Sequence, residues 1–283
     1  MNLKYFKAPD FSNFGDELNP YIFNRLFGDV FSFEKYREVD FYGAGTVIDQ
    51  RISSEKSTVF FGSGIRDVAM CYKTANWDVR FLRGPVSSNV LGFNGARFIA
   101  DGAYCLLYDG SLLPARSSKR FRYSLMPHYR QMDKLNWKLI GQLTGVHIID
   151  PRGEVVQVMQ EIADSENLLS IALHGAIVAD ILRVPWQRIK MEAIGSESSF
   201  ISDLKWMDFL AAMKLNGHFV HIRNYRFPAS PASPFTWASY GEIIGKIVQA
   251  SGNNRFQLST DQKISETGVK LNQEIDLFRN QYK

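Results

Sequence analysis

Short apolar runs that end in glycine alternate, through the first half of the chain, with stretches whose apolar residues recur every three or four positions. The first kind has the length of strands and the second the period of helices. "LKYF" leads into "NFGDELNPYIFNRLFG", where Leu18, Ile22, Phe23 and Leu26 share a helical face and Gly28 is placed to stop the helix. "VDFYGAGTVI", "STVFFGSGI", "VRFLRGP" and "RFIADGAY" each predict a strand closed by a glycine or polar turn, and "PVSSNVLG" a short helix with Pro85 in its first turn. Strands apolar on successive positions suit a parallel sheet covered on both faces, whose ligands gather at the carboxyl ends of the strands. Gly43, Gly45, Gly62, Gly64 and Gly84 would all lie on that rim.

A composition break at "GSLLPARSSKRFR", residues 110–122, opens a second series. "RYSLMPHY", "VHIIDP", "LLSIA" and "VPWQRI" predict strands, with a helix over "EVVQVMQEIADS" and another beginning near His174. "ISDLKWMDFLAAMKL", 201–215, predicts an amphipathic helix, and "RFPASPASPFTW" a proline and serine spacer. "STDQKISETGVKLNQEIDLFRN" predicts a capped helix that packs back on one of the domains. The expected organisation is an α/β chain of two domains, 1–115 and 116–215, with a linker and C-terminal helices over 216–283.

The 283 residues suffice for two such domains, and 45% apolar with 22% charged is the balance of a soluble globular protein. With 33 basic residues against 29 acidic the net charge is +4, too small and too dispersed for a nucleic-acid binder. One basic cluster, Arg116, Lys119, Arg120 and Arg122, reads either as a solvated linker or as a patch for anionic lipid or an acidic substrate. Cys71 and Cys105 have neither CxxC nor histidine spacing, so no metal site and no disulfide framework is expected; they read as reduced thiols of a cytoplasmic protein. The N-terminus does not read as a secretion signal, and no segment reaches the roughly 18 apolar residues of a membrane helix.

One run stands apart chemically. "LLSIALHGAIVADIL", 168–182, puts an imidazole between a strand and a helix. Leu173, His174 and Gly175 would form the turn, where backbone N–H groups lack partners and the helix dipole is positive, so an anion is welcome. Gly175 leaves room beside the ring. From the residues alone, His174 is either a candidate acid or base at an anion site or a neutral core histidine bonded to a carbonyl.

The set "NFGDELN", "FYGAGTVI", "FFGSGI", "RFLRGPVSSNVLG", "ADGAY", "MPHY" and "LLSIALHGAIVADILRVPW", in this order and spacing, resembles the polysaccharide pyruvyl transferase family over about residues 10–190. It is most similar to the short bacterial exopolysaccharide branch, the ketal-forming enzymes of succinoglycan- and xanthan-type pathways. The resemblance implies a GT-B-like architecture, two Rossmann-like domains facing across a cleft, with the acceptor on the N-terminal side and phosphoenolpyruvate on the C-terminal side. It implies transfer of a pyruvyl group from phosphoenolpyruvate to a hexose, giving a pyruvate ketal and phosphate. No cofactor is implied, phosphoenolpyruvate being the donor substrate. By position, Arg83 of "FLRGP" and the pair Leu173 and His174 fall on donor-site residues. Gly84 replaces the acidic residue often found after that arginine, and Ala172 stands where many members have an arginine, which leaves one anion contact unassigned.

On that reading the catalytic set is His174, Arg83 and Asp16. The Arg83 fork would grip a carboxylate or phosphate, its alternative being an ordinary strand-end salt bridge. His174 would protonate the methylene carbon of the donor, and Asp16 would take the sugar hydroxyl proton. Asn13, Gly15, Gly43, Gly45, Gly62, Gly64, Asp101, His128, Glu166, Leu173 and Gly175 would complete the substrate-binding set, with Glu166 and Ser170 orienting the ring. Asn13, Asp16 and Asp101 also read as helix caps or turn formers. The acceptor implied is a saccharide linked to a polyprenyl diphosphate at the cytoplasmic face of the inner membrane, where the basic cluster would make peripheral contact. Two other readings stay open: a GT-B glycosyltransferase using a nucleotide sugar, and a non-catalytic glycan- or anion-binding module.

Overall fold

The computed structural model describes residues 1–7, 11–68, 72, 74–115, 118–191, 199–223 and 234–283. The chain forms two compact units. Met1–Leu113 joins Phe200–Leu215 and Ser259–Lys283 in the first, and Pro114–Ser199 joins Asn216–Leu258 in the second.

The first unit begins β1 (Asn2–Lys4), α1 (Phe14–Ser32), β2 (Asp40–Tyr42), β3 (Thr46–Ile48), β4 (Thr58–Ile65), β5 (Trp77–Leu82) and α2 (Pro85–Val90). The second holds β6 (Phe121–Met126), α3 (Trp137–Thr144), β7 (His147–Ile148), α4 (Val155–Ala163), β8 (Ser165–Ser170), α5 (Leu173–Ile181) and β9 (Trp186–Met191). After β9 the chain gives α6 (Ser199–Met213) to the first unit, returns for β10 (Phe219–Ile222) and α7 (Pro234–Gly252), and ends on α8 (Asp261–Gln281) in the first unit.

Both sheets are parallel throughout, as the unbroken apolar strands require. In the first unit β1, β2, β4 and β5 lie in sequence order, with β3 pairing further along β4 at Gly64 and Ile65. The stretch read as one strand over "VDFYGAGTVI" is therefore two, broken between Gly43 and Gly45. The stretch "RFIADGAY" is not a strand: only a bridge joins Phe98 to Leu82, because Asp101 accepts the Ala103 N–H and turns the chain into a 3-10 helix, Gly102–Leu107. Gly28 marks the break expected of it, although a further helical stretch follows. The chain kinks at Phe27 (φ −133°, ψ 20°) and continues to Ser32, which buries Val30.

The core of this unit is aromatic. Phe23, Phe27, Phe41 and Phe61 pack on one another, and Phe278 of α8 meets Phe27 with ring centres 4.6 Å apart. That contact, with buried Leu271 and Ile275, decides which unit the C-terminal helix joins. Likewise α6 buries Leu204, Trp206, Asp208 and Phe209 in the first unit, although its sequence follows the second series of strands.

In the second unit the sheet order is β7-β6-β8-β9-β10. From β6 the chain steps outward to β7 and then returns to the other side of β6 for β8. The crevice between β6 and β8 is thus the topological switch point, where ligands of such sheets bind at the strands' carboxyl ends. Neither β10 nor α3 is predicted by the sequence. The helix α7 starts inside the stretch read as a spacer, of which residues 226–233 lie outside the described residues.

Candidate active site

At the switch point β8 ends on Ser170 and α5 starts three residues later at Leu173, so the imidazole of His174 lies half-buried in the first helical turn. The N-cap residue, Ala172, supplies no side-chain hydrogen bond, and this leaves first-turn N–H groups and the positive end of the helix dipole at the rim. The turn itself is fixed. Ser170 Oγ donates to the Ala172 carbonyl at 2.6 Å, and Leu173, Ala176, Ile177 and Val178 are buried. Gly175 has a packing reason for its missing side chain: a Cβ there would lie 2.6 Å from Ser170 Oγ and 2.7 Å from Met126 Sδ. The glycine lets α5 seat on the ends of β6 and β8.

His128 follows β6 and reaches the same rim. It N-caps the turn Tyr129–Gln131, its Nδ1 accepting the Arg130 N–H at 3.4 Å while its own N–H donates to Gln131 Oε1 at 3.1 Å. The two imidazoles therefore stand on the strands that flank the switch point. Arg130, which sequence reasoning passed over, belongs to this strand end; its Nε donates to the Tyr129 hydroxyl at 2.7 Å. A basic residue two positions after a strand-end histidine was the available signal. Glu166 is parted from this group. It is exposed, on the second residue of β8, at the amino end of the strand, and cannot orient a ring at the carboxyl end. Ser170 alone of the flanking pair touches the histidine turn.

The first unit gathers the remaining candidates at the ends of β2, β4 and β5. Arg83 is fully buried, with Nε donating to Asp208 Oδ2 at 3.2 Å and Nη1 to Thr46 Oγ1 at 2.7 Å. Asp208, on α6, also accepts from the N–H groups of Val86 and Ser87, both at 3.0 Å, and from Ser87 Oγ at 2.5 Å. Four donors converge on that carboxylate, so an internal anion holds the arginine through Nε and caps the start of α2, while the buried Arg83 Nη2 makes no hydrogen bond in the protein. The expected open grip of Arg83 on a donor anion is not what the geometry shows: no part of its side chain reaches solvent. Asp208 was legible as a lone carboxylate inside the apolar run "WMDFLAAM", which demands a buried partner.

The rim glycines serve the protein's own close approaches. Gly62 has φ +93°, a conformation other residues avoid, and passes against the backbone of Gly102; a Cβ on Gly64 would overlap the Arg83 guanidinium, and one on Gly43 the Phe23 ring. Gly45 turns the chain between β2 and β3. Asp101 is fully buried and caps its 3-10 helix. Asn13 N-caps α1 with extended backbone, and its Nδ2 donates to Asp16 Oδ2 at 2.5 Å; Asp16 is half-buried in the first turn, beside buried Gly15.

Elsewhere, His147 Nε2 pairs with Glu161 at 2.6 Å and its ring stacks on Phe121, and His221 Nδ1 accepts from Arg223. Cys105 is buried, and burial with the nearby Asp101 charge pushes its thiol well above the usual range. Cys71 and Arg116 lie outside the described residues. Of the basic cluster, Lys119 donates to the carbonyls of Ala163 and Ser165 and Arg120 pairs with Asp164, which ties both to the corner between α4 and β8. Among the described residues no cluster of histidine, cysteine and carboxylate side chains could hold a metal, and no helix is long and apolar enough to cross a membrane.

Two parallel sheets with intervening helices, one with a histidine-bearing helix start at its switch point, define an α/β protein with a candidate anion site, and comparison with known proteins gives the family. Residues 13–186 match the family model of polysaccharide pyruvyl transferases, and the chain belongs to that family. It is 30% identical over 271 residues to the succinoglycan biosynthesis protein ExoV of Rhizobium meliloti (strain 1021), covering 93% of this chain and 80% of that one. No solved structure gave a significant match.

Proposed function

We propose that the protein transfers the pyruvyl group of phosphoenolpyruvate to a hexose of an exopolysaccharide repeat unit, forming a pyruvate ketal and releasing phosphate. The observation that carries this reading is His174 in the first turn of α5, on the strand end beside the switch point. The first turn of α5, at the positive end of the helix dipole, receives an oxygen of the donor's phosphate or carboxylate, and Arg130 on the neighbouring strand end supplies the cation that Ala172 does not. Protonated His174 gives its proton to the methylene carbon, which becomes the methyl group and leaves an oxocarbenium-like carbon. One sugar hydroxyl attacks that carbon, losing its proton to Asp16. The bond to the phosphate oxygen breaks, a second hydroxyl of the same hexose attacks, and its proton leaves with phosphate or returns to His174. The negative donor favours the charged ring that a helix N-terminus disfavours, so donor binding completes the acid.

Arg83 has a positioning role in this scheme, holding the ends of β3, β5 and α2 through Thr46 and Asp208. The reading assigns the donor to the second Rossmann-like unit and the acceptor to the first. It also includes a lipid-linked acceptor at the cytoplasmic face of the inner membrane. Family membership and the relative's role in succinoglycan biosynthesis support a polysaccharide precursor as acceptor. The test is phosphate release from phosphoenolpyruvate with defined hexose acceptors, with product mass read alongside. Wild-type release coupled to a pyruvyl gain in mass is expected. Stabilisation by UDP- or GDP-sugars with no phosphate release would overturn the reading.

A further inference from the structure

At the other end of the first sheet lies a hollow that the proposed chemistry does not use. It has a volume of about 690 Å³ and opens along the amino ends of β4 and β5, where Ser57 and Asn76 precede the first strand residues, Thr58 and Trp77. β4 is eight residues long, which puts this edge roughly 20 Å from the glycine rim.

The lining is aromatic and charge-balanced. Tyr36, Trp77, Phe93 and Tyr282 contribute half-buried rings, held by contacts outside the hollow's centre: Trp77 edge-on to Phe60 at 4.7 Å and Tyr36 edge-on to Tyr282 at 5.1 Å. Asp78 and Arg97 are its two charges, and both are engaged. Asp78 accepts from the Tyr282 hydroxyl at 2.9 Å, and Arg97 lies over the Phe93 ring and donates to the Val79 carbonyl at 2.9 Å. The Trp77 indole N–H is buried and makes no hydrogen bond in the protein, so it is the ring, and not its N–H, that Trp77 offers to the hollow. Asn76, exposed at the lip, adds an amide whose Nδ2 also donates to the Ser54 carbonyl at 2.8 Å.

Rings beside an amide, hydroxyls and one charge of each sign, both engaged within the protein, match one ligand chemistry better than others. A pyranose has apolar C–H faces that stack on aromatic rings and hydroxyl edges that hydrogen-bond to amides and carbonyls. A phosphorylated ligand would want net positive charge. The hollow beside β10 has it, with Arg223, Lys246 and Arg255 against Glu242, but this one does not. The volume lies within the range of a pocket for a one- or two-sugar segment.

We infer that this hollow is a second saccharide site, which holds a neutral sugar segment of the polysaccharide precursor away from the residue being modified. The inference rests on membership of a polysaccharide-acting family, and not on the identity of the donor. Cellotetraose and laminaritetraose are the probes, their all-equatorial β-linked glucoses offering flat C–H faces. Titration calorimetry without phosphoenolpyruvate is expected to show binding of at least one, with a change in tryptophan fluorescence. Tyr36→Ala and Asn76→Ala should each weaken that binding at least tenfold, with the melting temperature kept and phosphate release on a free hexose unchanged. Failure of both probes to bind wild type, or wild-type affinity in both variants, overturns the inference. Failure of the pyruvyl reading has a different signature, saccharide binding with no release of phosphate from phosphoenolpyruvate.

Discussion

Arg83 and Asp208 meet at 3.2 Å with neither side chain touching solvent, although 125 positions separate them in the chain. One stands at the end of β5 and the other on α6, which reaches the first unit only after the chain has built most of the second. The pair thus joins two of the three segments of a discontinuous unit, and the first prediction follows from its burial.

Removing one partner leaves a buried charge alone, which costs about 3–5 kcal/mol, whereas replacing both by apolar side chains of similar volume is far milder. Asp208→Ala and Arg83→Met should each lower the urea midpoint sharply. Arg83→Met combined with Asp208→Ala should cost less than the sum of the singles, the remaining loss coming from the Val86 and Ser87 donors left without their acceptor. A double variant as unstable as the sum of the singles would show that the two residues act separately.

His174→Ala should leave circular dichroism and melting close to wild type, since the ring is half-buried at a helix start rather than in the core. Turnover with phosphoenolpyruvate should fall by roughly 100-fold or more, the scale of a lost general acid. Phosphate release at the wild-type rate would remove the histidine from the mechanism.

Asp16→Asn keeps an acceptor for the Asn13 amide while removing the base. The expected result is a lower kcat for phosphate release with the affinity for phosphoenolpyruvate, read by titration, unchanged. An equal loss of donor affinity would mark Asp16 as structural.

Acid should weaken one identified contact. Burial alone would raise the Asp49 carboxyl, but the hydrogen bonds and charge of Arg51 outweigh it and hold the group below its ordinary value of 3.8. A carboxyl lowered by folding adds stability that is fully present above the unfolded value and is lost as pH falls through the folded one. Wild type should therefore exceed Arg51→Gln in urea midpoint at pH 6, and the gap should narrow below about pH 4. A gap that stays constant down to pH 3 would contradict the assignment.

Much of the strand and helix succession was legible because both sheets are parallel and buried, so each strand is a short apolar run with a glycine or polar stop. The exceptions are local. At Asp101 a side chain competed for the backbone and converted an expected strand into a 3-10 helix. At Gly28 the stop signal held as a break at Phe27, but a second short helical stretch follows it and buries Val30. The rim glycines were legible as places where something approaches the backbone, but what approaches at Gly62 and Gly64 is Gly102 and Arg83. Glu166 and His174 look like neighbours in sequence, yet a strand's rise puts them at opposite ends of β8.

The sequence by itself determined the element types, the position of His174 between a strand and a helix, and the ordered motifs that mark the family. Periodicity and turn chemistry are local, and local patterns suffice for these. Only the tertiary structure decided which strands flank β6, and hence that His128 and Arg130 share the rim with His174. It also decided that α6 and α8 complete the first unit and that Asp208 takes the Arg83 guanidinium. Those outcomes depend on which distant surfaces bury one another best, and no window of neighbouring residues contains that choice.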